Sequence, residues 1–269
     1  MNHAPDVFSI VGRQRKREPA GKRKFDIVAA GSGLILLAPL LLIAALAIKL
    51  TSRGPVFFMQ PRRGRDGRVF RICKFRTLDH DRCDAPEQRD IQAVSDHDSR
   101  VFPVGLFLRT RGIDEIPQLW NVLRGEMSIV GPRPHAIPHD DFYLAHVSGY
   151  AHRYAVKPGI TGWAQVNGSR GRIRDLEEAR QRVQFDRRYI DNASLLLDIE
   201  IVLRTVRILL LGTDVKQQRE AEAQRTVEAR RAEQPPAAAA SAVLAYSVAE
   251  GDNERMRLRI ERILAGRPS

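Results

Sequence analysis

Ile27 to Ile48 reads IVAAGSGLILLAPLLLIAALAI, a run of 22 residues with no charged side chain. About 20 apolar residues suffice to cross the hydrocarbon core of a bilayer as a helix. The run has no polar face, which a helix on the surface of a soluble domain would need. It is too long for a signal peptide, and no small-residue cleavage site follows it. Basic residues stand on both sides: Lys22, Arg23 and Lys24 before it, then Lys49, Arg53, Arg62, Arg63 and Arg65 after it. Positive charge stays on the cytoplasmic side, so a straight span would export one of these clusters. Pro39, near the middle, removes a backbone hydrogen bond and weakens the helix there. The expected topology is a bent, re-entrant helix with its break at Pro39 and both ends on the cytoplasmic face.

The 269 residues carry a formal net charge of +12, which points to anionic partners such as phospholipid headgroups, nucleotide phosphates or nucleic acid. Two cysteines, Cys73 and Cys83, are too few for a disulfide framework and lack metal-site spacing. Residues 1–24 include RQRKREPAGKRK and read as a basic cytosolic arm attracted to anionic lipid.

Beyond the apolar run, VFFMQ and RVFRICKF flank an Arg-Asp-Gly-Arg turn and predict a hairpin, with Val69, Arg71 and Cys73 on one face and Phe70, Ile72 and Lys74 on the other. Residues 78–100 are polar; Asp79, His80, Asp81 and Asp84 lack ligand spacing and read as a solvated loop. Asp114 or a near neighbour should cap a helix running to about Leu123, with Pro117 tolerated in its first turn and Gly125 just past its end. Lys157 to Gly168, KPGITGWAQVNG, reads as a turn-rich loop. Residues 174–190 predict a charged amphipathic helix. Leu195–Leu211 predicts a second one, lying in the membrane interface or packed on the core. From residue 215 the chain turns to Gln, Glu, Arg and Ala, with QPPAAAAS and a short basic helical stretch near its end.

The fold class expected is α+β and mostly helical. A basic arm (1–24) leads to a membrane re-entrant helix (25–50). A small cytosolic catalytic domain (51–214) follows, with amphipathic interfacial helices and a short β-hairpin, and then a low-complexity tail (215–269).

The chemistry concentrates in Ile113–Pro134, IDEIPQLWNVLRGEMSIVGPRP. A carboxylate can attack phosphorus and form an acyl phosphate. At a helix start it is kept ionised and meets amide donors that suit an incoming phosphate. A second, adjacent carboxylate is redundant as a nucleophile but can hold Mg²⁺. Cationic side chains must then clamp the remaining phosphate oxygens, and Lys74, Arg76, Arg109 and Arg133 are the candidates. Asp114 and Glu115 taken alone read better as helix capping with dipole compensation, and Arg133 as a surface turn.

The order of the whole set is more specific. Lys74-Phe75-Arg76-Thr77, Leu108-Arg109, Asp114-Glu115 with Pro117-Gln118-Leu119, Gly125, Gly131-Pro132-Arg133-Pro134 and Lys157 through Gly168 occur in sequence. Together they resemble the bacterial sugar transferases, the monotopic phosphoglycosyl transferases that use polyprenyl phosphate, over residues 22–212. The resemblance implies that Asp114 takes a sugar phosphate from a UDP-sugar and releases UMP, and that Glu115 binds Mg²⁺. Lys74, Arg109 and Arg133 match basic positions of the active site. Undecaprenyl phosphate then collects the sugar phosphate, in a ping-pong scheme that begins exopolysaccharide, capsule or O-antigen-type synthesis at the cytoplasmic face of the inner membrane. His135-Ala136 resembles members that transfer glucose or galactose phosphate. The family often has Ser before the helix-breaking proline, where this chain has Ala38.

Two other classes compete. A membrane-tethered nucleic-acid-binding protein would fit the charge, but the chain has no nucleic-acid motif and its aromatics do not interleave with its basic runs. A silent scaffold for polysaccharide assembly would not require the Asp114–Glu115 pair. Membrane lipid is expected as a partner and nucleic acid is not; homo-oligomerisation is left open.

Overall fold

A computed structural model describes residues 16–79, 98–171 and 173–211. These belong to one unit bounded by Val215, while the tail, Cys83 and the acidic stretch from His80 to Asp84 lie outside the described residues.

Helix α1 spans Lys22–Thr51, 30 residues, and Pro39 lies inside it. It begins where Gly21 adopts a left-handed φ of 82°, and ends as Ser52 turns to extended backbone. It is long and apolar enough to cross a membrane. Lys22, Asp26 and Ala30 are buried near its start, and Ala44 and Ile48 near its end. Each set has a spacing of four, so one stripe of the helix faces the protein. Between them Ile35, Leu36, Leu42 and Ile43 are exposed.

The residues after α1 pack against both of its ends. Strands β1 (Phe57–Arg63) and β2 (Val69–Phe75) form the antiparallel hairpin, turning through a 3₁₀ segment at Arg65–Gly67. Asp66 takes a φ of 58° there, a region that Asp tolerates better than bulkier residues. Along β2, Phe70 and Ile72 are buried while Val69 and Arg71 are exposed, the two-faced alternation the sequence suggests. Pro61 is accommodated because β1 is an edge strand.

Helix α2 (Pro103–Arg111) stops at Gly112, whose φ is 70°. The next segment is not the single helix expected from Asp114 to Leu123. A 3₁₀ turn covers Ile113–Gln118, and only Leu119–Leu123 is α-helical (α3). Pro117 has no amide hydrogen to give to an α-helical ladder, which favours the tighter turn.

The turn-rich motifs contain a feature that the sequence did not disclose. β3 (Ser128–Val130) pairs in parallel with β4 (Gly159–Thr161). The pairing brings the Gly-Pro-Arg-Pro and Lys-Pro-Gly segments into backbone contact. A Cβ on Gly131 would collide with the Lys157 carbonyl oxygen, and one on Gly159 with the Gly131 amide nitrogen.

Three further helices follow β3: α4 (Ile137–His146) before β4, then a single turn α5 (Trp163–Val166) and α6 (Leu176–Asp191) after it. Asp175 caps α6 by accepting from the Glu178 amide at 2.8 Å, and Glu178 accepts from the Arg174 amide in return. Helix α7 (Leu195–Leu211) has the bounds read from sequence; it buries Asp198 and Ile201 and exposes Leu196, Leu203, Leu209, Leu210 and Leu211. One core joins Ala30 of α1 to Phe70, Ile72, Val122, Val130, Tyr189 and Ile201, and another joins Ala44 and Ile48 to Phe75, Phe102 and Leu108.

Lys22 and Arg23, expected in a basic arm attracted to anionic lipid, are structural. Lys22 Nζ donates to Asp198 Oδ2 at 2.6 Å, to the Val130 carbonyl at 3.0 Å and to the Tyr189 hydroxyl at 3.2 Å. All three ammonium donors are therefore used in a buried position. Arg23 donates to the Val122 and Leu123 carbonyls, satisfying the end of α3. Asp26 Oδ1 accepts from the Ser128 hydroxyl and the Ile129 amide, each at 2.9 Å.

Candidate active site

The 3₁₀ turn after Gly112 carries Asp114 and Glu115, and β2 and β3 bring cations to them. Lys74, near the end of β2, donates to Glu115 Oε1 at 2.6 Å. Arg133, in the turn after β3, forks onto the same carboxylate: Nη1 to Oε2 at 2.7 Å and Nη2 to Oε1. Such bidentate pairing fixes the plane of the guanidinium as well as its position.

Burial would raise the proton affinity of Glu115, but Arg133 and then Lys74 outweigh it and hold the carboxyl well below its usual range. Asp114 behaves oppositely. It is 9% exposed. Burial, then the charge of Glu115, push its pKa up to about 6, against the opposing pull of Lys74, Arg109 and Arg133. Two neighbouring carboxyls thus differ sharply: one is locked ionised in a cation fork, and the other is short of positive charge, a division often found at reacting sites.

Lys74, Arg109 and Arg133, three of the four phosphate-clamp candidates, all act electrostatically on Asp114. Arg76 does not join them. Its guanidinium donates to the Pro55, Ser52 and Leu78 carbonyls and to the Ser52 hydroxyl, and it is 4% exposed. Stacked 5.5 Å from Phe102, it ties the end of α1 to the exit of β2. Pro39 sits within α1, away from this chemistry.

Several residues that the sequence reading passed over support the turn of Arg133. Arg153 donates to the Arg133 carbonyl and to Asp186 at 2.7 Å. The Tyr150 hydroxyl receives from Arg153 at 2.8 Å, lies 2.6 Å from His135 Nδ1, and donates to Asp140 at 2.5 Å. Tyr154 donates to the other Asp140 oxygen. Burial first, then the charges of Arg153, Arg182, Arg62 and Arg133, hold His135 well below its normal range and therefore neutral.

The donor set suits a divalent cation of one kind. Among the described residues no group of three His, Cys, Asp or Glu side chains could hold a metal. Glu115 accepts three hydrogen bonds, which leaves about one of its roughly four acceptor positions open. A cation here would rest on Asp114, that position, water and substrate phosphate. Mg²⁺ favours this mixture of one or two carboxylates with phosphate and water.

Comparison with known proteins places these motifs in one family. The model for "Bacterial sugar transferase" matches residues 17–212. A UDP-glucose:undecaprenyl-phosphate glucose-1-phosphate transferase of Caulobacter vibrioides is 53% identical over 189 residues, 70% of this chain and 69% of that protein. An enzyme of the same name from Escherichia coli is 48% identical over 185 residues, 69% of this chain and 39% of the relative. An exopolysaccharide production protein of Rhizobium leguminosarum is 42% identical over 188 residues, 69% of this chain and 92% of the relative. Against several of its longer relatives the chain spans about two fifths of their length. With most of its length matched by the family model and its motifs clustered around Asp114 and Glu115, the chain belongs to the bacterial sugar transferases.

Proposed function

We propose that the protein transfers a hexose 1-phosphate from a UDP-sugar to undecaprenyl phosphate, through a covalent intermediate on Asp114, with release of UMP. The observation that carries this is the contrast between the two carboxyls. Glu115 is neutralised by Arg133 and Lys74, while Asp114 beside it is partly starved of counter-charge.

In this mechanism an Asp114 oxygen attacks the sugar-bearing phosphorus. The bridging P–O bond breaks, and its electron pair leaves with the UMP phosphate. Undecaprenyl phosphate then attacks the same phosphorus, forming undecaprenyl-diphospho-sugar and freeing Asp114. Lys74, Arg109 and Arg133 stabilise the charge that spreads over the phosphoryl oxygens. Glu115 holds Lys74 and Arg133 in place, and with Asp114 would hold Mg²⁺, which when bound neutralises the diphosphate and improves the leaving group. The names of the relatives favour glucose, although a relative from Aeromonas hydrophila is named for N-acetylgalactosamine.

The re-entrant topology supports this chemistry by keeping the site at the membrane surface. Lys22 and Asp26 at the start of α1, and Ala44 and Ile48 near its end, all bury against the same folded body. Lys22 and Ile48 are separated by about 39 Å of helix contour, more than the roughly 30 Å hydrocarbon core. A straight span would carry one end across the bilayer and away from that body. A helix that dips in and returns, yielding near Pro39, keeps both contacts. Its apolar middle and the exposed leucines of α7 then face lipid. This corresponds to a monotopic protein of the cytoplasmic face of the inner membrane.

The test is direct. Purified protein in lipid nanodiscs, given Mg²⁺ and UDP-glucose without acceptor, should gain the mass of hexose phosphate on the peptide containing Asp114 and release UMP. UDP-galactose and UDP-N-acetylgalactosamine run in parallel identify the sugar. No UMP from any UDP-sugar, or full activity in Asp114→Asn, would sink the proposal. Tight, salt-sensitive DNA binding in place of UMP release would favour the nucleic-acid reading.

A further inference from the structure

Around Arg133 are guanidinium groups that the mechanism above leaves unused. Arg62 is on β1, and its backbone bridges to Ala136 next to His135. Its side chain reaches Gln60 Oε1 at 2.6 Å, while its Nε is buried without a partner. Arg182 on α6 is 5% exposed and, among the described residues, bonds to neutral groups, the Ser169 hydroxyl at 3.2 Å and the Gly171 carbonyl at 2.9 Å. Arg170 lies at the mouth, exposed, with its Nη2 3.7 Å from where a Cβ on Gly112 would stand, two residues before Asp114.

These three differ from their neighbours. Arg133 is matched by Glu115 and Arg153 by Asp186. Among the described residues, Arg62, Arg170 and Arg182 have no carboxylate at ion-pair distance. Burial and then the charge of Arg133 disfavour the protonated form of each, taking Arg62 and Arg182 down to about 10 and lowering Arg170, which still leaves all three charged at neutral pH. His135, in their midst, is neutral and cancels none of this charge. Like charges grouped around Arg133 are unfavourable unless an anion completes them.

We propose that Arg62, Arg170 and Arg182, the cations around Arg133 that lack a carboxylate partner, form the subsite for the phosphate of the departing nucleotide. The inference rests on the function proposed above. There, attack by Asp114 expels the nucleotide phosphate on the side opposite the attacking oxygen. As the bridging P–O bond breaks, that phosphate gains one negative charge. Preorganised cations are most valuable where charge develops.

The test measures binding of UMP, uridine and inorganic phosphate to the full chain in nanodiscs. It compares the wild type with Arg62→Gln, Arg170→Gln and Arg62→Lys, each with its thermal midpoint. Arg170→Gln, at an exposed position, guards against a folding defect. Each Gln variant should weaken UMP by about tenfold or more, the loss of one charge-assisted contact. Uridine affinity should stay unchanged, and Arg62→Lys should recover part of the loss. Equal loss of uridine and UMP would mark a merely structural role and overturn the inference. So would unchanged UMP affinity, including the case in which the variants weaken only transfer from the preformed intermediate to undecaprenyl phosphate, which would assign these arginines to the lipid phosphate. Wild-type protein that releases UMP from UDP-glucose yet binds neither UMP nor inorganic phosphate would overturn this subsite alone. Wild-type protein that releases no UMP from any UDP-sugar would overturn both readings.

Discussion

Arg153 donates through Nη2 to the main-chain carbonyl of Arg133, so a buried guanidinium sets the turn that delivers the active-site arginine. The same side chain is anchored by Asp186 at 2.7 Å, and both partners are almost fully buried. Removing one member of a buried pair strands the other charge, at a cost of about 3–5 kcal/mol. Arg153→Met is therefore expected to lower the thermal midpoint steeply, and the double variant with Asp186→Leu to recover part of that loss. Any double variant that folds should still release UMP poorly, because the Arg133 carbonyl has lost its tether. Thermal unfolding and UMP release on the same preparations separate the two effects. Full activity in the folded double variant would show that Arg153 does not position Arg133.

Asp114 yields a prediction about stability whose sign depends on pH. Its carboxyl moves from an ordinary 3.8 to about 6 in the folded chain. A raised acid destabilises the fold wherever it must ionise. The cost is absent below about pH 4, grows through about pH 6, and is complete above it, reaching at most about 3 kcal/mol. Asp114→Asn removes that cost. In the presence of a chelator, the variant should melt above the wild type at pH 8 and level with it near pH 4. No gain at pH 8 would mean that Asp114 is better compensated than its surroundings indicate.

The parts of this arrangement that could be read in advance are those where the chain repeats itself. Helix α7 shows apolar residues on a helical period for 17 residues, and its bounds follow from that. β2 alternates faces over seven residues. β3 and β4 have three residues each, too few for any period, and only the glycines at their crossing hint that two backbones touch. Lys74, Arg109 and Arg133, which act on Asp114, stand out in the sequence because they sit in long motifs. Arg76 shares such a motif yet serves the backbone around Ser52, since a sequence lists side chains but not their directions. Arg62, Arg170 and Arg182 stand singly in charged stretches that look like solvated surface. Lys22 was misread for the same reason: Asp198, its partner, lies 176 residues away.

Gly131 and Gly159 meet back to back where β3 and β4 cross, the Gly131 amide bonding to Thr161 and the Gly159 amide to Pro132. A methyl group on either would press into main-chain atoms that have no rotamer through which to move aside. Gly131→Ala and Gly159→Ala should each cost several kcal/mol, at the severe end of single substitutions, and displace Arg133. Gly31, with nothing within 4 Å of its would-be Cβ, is the matched control. Gly31→Ala in the helix interior should be neutral or stabilising by up to about 1 kcal/mol. Thermal midpoints that fail to separate the two crossing variants from the control would contradict the close approach.

The two ends of α1 supply the last prediction. Lys22 is held by Asp198 and Val130, while Ile48 is buried with Phe75 and Phe102, all in one folded body. In the topology proposed above, that charge-rich body stays on one side of the membrane and both ends of the helix stay with it. Ala20 and Arg53 flank the helix and are exposed. With Cys73 and Cys83 replaced by serine, Ala20→Cys and Arg53→Cys should both resist an impermeant thiol reagent in intact cells, and both should react in inverted vesicles. A straight span predicts opposite behaviour at the two positions. It would also break either the Lys22–Asp198 pair or the packing of Ile48, so Asp198→Asn would weaken the fold only if the first contact exists. Labelling of position 20 and position 53 from opposite sides would therefore refute the re-entrant topology and, with it, the placement of Asp114 at a surface that undecaprenyl phosphate can reach.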